Sequence, residues 1–110
     1  MERSWHQNQV ISTDTVNTIA DGIAVRVPVP ESLKTLAFAV DDIIFVSDAQ
    51  VIQAMRAYYD YERLVTEPAG VVSLAAAIAN AQIDQGKTVV TLVSGSNIDP
   101  QCRDEWLVSG

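Results

Sequence analysis

Apolar residues follow two alternating patterns along this chain. In IIFV (residues 43–46) and TVVTLV (88–93), β-branched and aromatic residues crowd together over a stretch too short for a helix. Both runs are predicted as buried strands. Between them the apolar positions recur at helical spacing: Val51, Met55, Tyr58 and Tyr59 fall at i, i+4, i+7 and i+8, one stripe that carries to about Leu64. Ser47 and Gln50 stand at capping-box spacing, so this helix is expected to begin near Asp48. Pro68 suits the first turn of a second helix, with Glu67 at its cap or at the positive end of its dipole. From Val71 to Ile83 that helix is apolar nearly all round, the pattern of a helix covered on several sides. Gly86 closes it before the second β-branched run.

The order strand, helix, helix, strand predicts an α/β fold, because two parallel strands need a long crossover and these helices supply it. The expected architecture is a small parallel sheet with packed helices. Upstream, residues 1–17 are polar and without period and read as a tail or irregular lead-in; residues 18–110 read as a single α/β domain. Gly22, Pro28 and Pro30 exclude a continuous helix and imply a structured loop, followed by a short helix over 31–39 with Leu33, Leu36 and Ala37 on one side. Two strands make a poor sheet by themselves. The pattern is that of a surface meant to be covered by something else.

Composition narrows the function classes. The chain has 110 residues, 48% hydrophobic and 19% charged, as expected of one globular domain. No apolar run is long enough to cross a bilayer and MERSWHQNQ lacks the centre of a signal peptide, so a cytoplasmic protein with no membrane partner is expected. The single Cys102 and the single His6 give neither a disulfide framework nor metal-ligand spacing. With 7 basic against 14 acidic residues the net charge is −7, which repels nucleic acid. Asp41 and Asp42 are adjacent in a strand and point to opposite faces, so they read as a solvated pair, while Tyr58, Tyr59 and Tyr61 read as core and interface.

The run that ends at Ser94 delivers a hydroxyl where open α/β folds bind ligands, at the carboxyl edge of a strand. It is also how ordinary strands end. Three segments together decide between these readings: TIADGIAV, VDDIIFVSDAQVIQAM with LVTEPAGVVSLAAA, and VVTLVSGSNID. In this order and spacing the chain resembles the C-terminal third of the threonine and serine dehydratases, including serine racemase, over about Thr18 to Asp99. These are pyridoxal-phosphate enzymes of fold type II, so the resemblance implies part of a large domain like that of the tryptophan synthase β subunit. It also implies three cofactor contacts: Gly22 beside the ring, Glu67 close to the ring and its hydrogen-bond network, and Ser94 at the pyridine nitrogen. Without the resemblance the same residues read as a bend, a helix-cap carboxylate and a strand-end turn.

In that family the reaction releases an α-keto acid and ammonia. A hydroxyl at the pyridine nitrogen cannot keep it protonated, so the ring is a moderate electron sink. The family's Schiff-base lysine, its glycine-rich phosphate loop and its cation site match no segment here; Lys34 and Lys87 are the only lysines and neither sits in the lysine motif. Ser96 replaces the second glycine of the family's SGGN turn, at a cost of order ~1 kcal/mol if that position needs φ > 0. The expectation is a truncated or stand-alone dehydratase part, an ammonia-lyase relative inactive alone, with no catalytic residue of its own and at most weak pyridoxal-phosphate binding. The alternative is a non-catalytic module that binds a small molecule or a protein and self-associates. Either way a homodimer, or a complementary N-terminal chain, is expected to cover the exposed strand edges.

Overall fold

The computed structural model describes residues 1–108, which gather into two compact units. The first comprises Met1–Thr18 with Ile23–Phe45, and the second comprises Ile19–Gly22 with the chain from Val46 onward.

In the first unit the polar lead-in is not wholly irregular: α1 spans Glu2–Gln7 and stops at Asn8, whose φ of 50° is left-handed. Ser4 is buried here, and its hydroxyl takes the Ile11 N–H at 2.9 Å and donates to the Ile11 carbonyl at 3.2 Å. Such pairing removes the penalty of burying a polar group. α2 spans Pro30–Ala39, with Pro30 in its first turn and Leu33 buried, and α1 packs against it. The His6 ring faces the Ile43 carbonyl at 3.3 Å, Glu2 at 3.4 Å and Asp42 at 3.7 Å. Asp42 also accepts the Ile43 N–H at 2.8 Å, so this acid works as a local turn group.

The second unit is built on α3, Asp48–Glu62. Its start is the expected capping box: the Ser47 hydroxyl accepts the Gln50 N–H at 3.3 Å, and the Gln50 side chain accepts the Ser47 N–H at 2.8 Å. Its end is set by Arg63, which turns left-handed with φ 56°. Val51, Ala54 and Met55 of α3 form the core with Val71, Leu107 and Ala75, the last from α4, Val72–Ala79. A 3-10 turn, Pro68–Val71, leads into α4, and both it and α4 pack on α3.

The last stretch, for which the sequence predicts nothing, also enters this core. Asp99 caps α5, Pro100–Arg103, by accepting the Gln101 N–H at 2.8 Å. A π-helical turn, Asp104–Val108, then drops Leu107 into the cluster, and Arg56 Nε donates to the Trp106 carbonyl at 2.7 Å.

Two expectations change. Residues 43–46 and 88–94 take no regular secondary structure and no strand ladder forms among the described residues, so the small parallel sheet is not seen. Nor are these runs buried: Phe45 is 76% exposed, Val90 84% and Leu92 76%. A β-branched run favours a strand, but a sheet also needs a neighbour at about 4.8 Å. The alanine-rich helix is shorter than its apolar pattern: it ends at Ala79, where the Asn80 side chain donates back to the Ala76 carbonyl at 2.8 Å, and only Ala75 is buried. The turn that follows closes at Gly86, whose φ of 79° requires the missing side chain.

Met55 is fully buried at the centre of this cluster. Met55→Ala should therefore lower stability by about 2–5 kcal/mol, read from urea denaturation followed by circular dichroism.

Candidate functional site

The three residues picked out in the sequence come together around one turn, all within the second unit. Glu67 precedes the turn Pro68–Val71 in extended conformation, φ −85° and ψ 158°. Its carboxylate does not cap the turn; the main chain does, through the Gly70 N–H donated to the Glu67 carbonyl at 3.1 Å. The side chain instead lies over Gly95, and a Cβ built on Gly95 would coincide with the Glu67 carboxylate.

The segment after residue 93 is fastened to this turn by two main-chain bonds. Ser94 N–H donates to the Gly70 carbonyl at 3.2 Å, and Glu67 N–H donates to the Gly95 carbonyl at 3.1 Å. Gly70 and Gly95 approach so closely that a Cβ on Gly70 would lie 2.6 Å from the Gly95 carbonyl oxygen and 2.8 Å from its nitrogen. Glycine at 70 is what lets these two backbones meet.

Gly22 reaches the same turn from the other side. A Cβ there would stand 3.1 Å from the Ala69 Cβ, so any larger residue would press on the turn. The Asp48 carboxylate at the start of α3 accepts the Ile19 N–H at 3.3 Å and so holds the segment that carries Gly22. Ser94 is exposed, and its hydroxyl bonds to none of the described residues. Ser96 does not take a positive φ, so its replacement of glycine carries no backbone strain.

Gly70 and Gly95 sit inside the quoted motifs but have no role assigned from sequence. The signal for them was one glycine directly after Ser94 and another three residues after Glu67. Of the two lysines, Lys87 pairs with Asp84 at 3.4 Å on the surface, and Lys34 belongs to α2 of the first unit. No group of three or more metal-binding side chains occurs among the described residues.

The sequence matches a known family. The family model described as pyridoxal-phosphate dependent enzyme matches residues 1–95, and the chain belongs to that family. It is 35% identical over 103 residues to a catabolic L-threonine dehydratase of Staphylococcus aureus, covering 90% of this chain and 30% of that protein. To the biosynthetic L-threonine dehydratase of Bacillus subtilis it is 37% identical over 90 residues, 82% of this chain and 21% of that one. Among solved structures, the processed threonine deaminase isoform 2 of Solanum lycopersicum superposes with a TM-score of 0.87 at 25% identity, covering 96% of this chain and 31% of that chain. The chain thus spans less than a third of the length of each. These likenesses support the fold type II family implied by the resemblance, while the small parallel sheet expected with it is not seen among the described residues.

A carboxylate and an unengaged hydroxyl stand at one turn, donor and acceptor groups of the kind that suit the ring side of pyridoxal phosphate, while the space beside Gly22, Gly70 and Gly95 is filled by Ala69, Gly95 and Glu67. They supply no lysine for its covalent attachment.

The two glycines make different demands. Gly95→Ala meets the movable end of the Glu67 side chain, which can swing aside, whereas Gly70→Ala meets fixed backbone. Gly70→Ala should therefore cost about 1–3 kcal/mol of stability and Gly95→Ala clearly less, as measured by thermal or urea unfolding of the two variants side by side.

Proposed function

We propose that this chain carries the ring-side part of a cofactor site of the threonine and serine dehydratase type, with Gly22, Glu67 and Ser94 as its cofactor contacts, and that it does not catalyse dehydration by itself. The observation that carries this reading is the fastening of Ser94 and Gly95 onto the Glu67–Gly70 turn, with Gly22 against Ala69. Bound there, pyridoxal phosphate would supply an electron sink for a hydroxy amino acid losing its β-hydroxyl. Ser94 Oγ would hold a hydrogen bond at the pyridine nitrogen; its own pKa is too high for it to serve as a proton donor of full charge. Glu67 would sit near the ring, and Gly22, packed on Ala69, would lie beside it. The threonine dehydratases that the chain resembles support the choice of a β-hydroxy amino acid as substrate class.

Inactivity alone follows from the lysines. Neither Lys34 nor Lys87 sits in the Schiff-base lysine motif that the resemblance implies, so the chain offers no matching amine for the covalent link. The pure chain incubated with pyridoxal phosphate and L-threonine should release no 2-oxobutanoate above the protein-free control. Chain-dependent release of that acid would refute the reading.

One observation favours self-association or a complementary chain. Val90 and Leu92 are exposed, and the main-chain groups of Val89, Val90 and Val93 bond to none of the described residues. Such an open apolar segment with unbonded main-chain groups is a template for pairing. Sedimentation equilibrium at micromolar concentration should give a mass above the 11.9 kDa of one chain; a well-behaved monomer would count against a homodimer.

A further inference from the structure

The segment that delivers Ser94 lacks a sheet neighbour among the described residues, yet it is fixed in place. Side chains of the two helices beneath it do the fixing. The Tyr58 hydroxyl of α3 shares a hydrogen bond with the Thr91 hydroxyl at 3.1 Å. The Ser73 hydroxyl, in the first turn of α4, donates to the Leu92 carbonyl at 2.8 Å and accepts the Leu92 N–H at 3.1 Å. A single hydroxyl thus satisfies both main-chain groups of one residue, which an adjacent strand would otherwise do.

Burial does not hold Leu92, since its side chain is exposed. The Leu92 N–H donates to the Ser73 hydroxyl and the Ser94 N–H to the Gly70 carbonyl, so both residues present main-chain groups to one surface. That surface is one continuous piece of chain: Ser73 grips Leu92, and three residues earlier the Gly70 carbonyl grips Ser94. We propose that Ser73 is the positioning residue of Ser94. Its hydroxyl pins the segment two residues before the site and fixes where the Ser94 hydroxyl stands relative to Glu67. Only the consequence for ligand binding rests on the cofactor reading above; the pinning of Ser94 does not.

Amide hydrogen exchange followed by NMR tests the pin. In Ser73→Ala the Leu92 and Ser94 amides should exchange about tenfold faster, the effect of roughly one lost hydrogen bond, while Val51 and Met55 in α3 keep their rates. Ser73→Thr, which retains the hydroxyl, should restore slow exchange. Unchanged exchange at Ser94 in Ser73→Ala, or faster exchange spread equally through α3, overturns the proposal. Equilibrium dialysis with pyridoxine phosphate, which lacks the aldehyde and so reads the pocket without touching lysines, supplies the second arm. Ser73→Ala and Ser94→Ala should weaken retention by similar factors, and the double variant should be no weaker than either. Additive losses would show that Ser73 does not act through Ser94 and would overturn the proposal. No retention by the unaltered chain, with Ser94 exchange accelerated in Ser73→Ala, would refute the cofactor reading and leave the pin standing.

Discussion

The close approach of two backbones, at Gly70 and Gly95, is the constraint on which the site depends. Two main-chain hydrogen bonds cross this contact, from Ser94 to Gly70 and from Glu67 to Gly95, and no side chain can stand between them. Everything polar in the candidate site follows from it. Ser94 emerges beside the turn because its own amide is bound there, and Glu67 lies over Gly95 because that position has no Cβ. The core beneath supplies the platform: α3 and α4 bury Met55, Val51 and Ala75, and the Pro68–Val71 turn adds Val71 to the same cluster.

Local signals were well written into the sequence. The capping box at Ser47 and Gln50 and the stripe from Val51 to Tyr59 each specify structure from neighbours within a few residues, and each forms; Pro68 opens a 3-10 turn that leads into α4. The β-branched runs were over-read. Val89, Val90 and Val93 favour a strand, but burial and a ladder require partner strands, which composition cannot supply. Likewise the apolar pattern from Val71 to Ile83 spoke of surroundings rather than length. The helix stops where the Asn80 side chain turns back on it.

The site residues were visible only as a set. Gly22, Glu67 and Ser94 are distant in sequence and each has an ordinary explanation by itself; a turn of four residues brings them together. What held them was harder to see. Gly70 and Gly95 matter because of a contact across 25 positions, and Ser73 matters because one hydroxyl replaces a missing strand. The trace it left is a polar residue in an otherwise apolar helix. The C-terminal Leu107 was missed because no periodic pattern marks a single π-helical turn.

The most direct test of this account is whether the chain itself closes the Gly70–Gly95 contact in solution. Scalar couplings across hydrogen bonds, measured by NMR on isotope-labelled chain, report the partner of each amide. The account requires couplings from the Ser94 amide to the Gly70 carbonyl and from the Glu67 amide to the Gly95 carbonyl. If both are absent, and the two amides exchange as freely as in an unfolded peptide, the site is not assembled by this chain and the account is wrong.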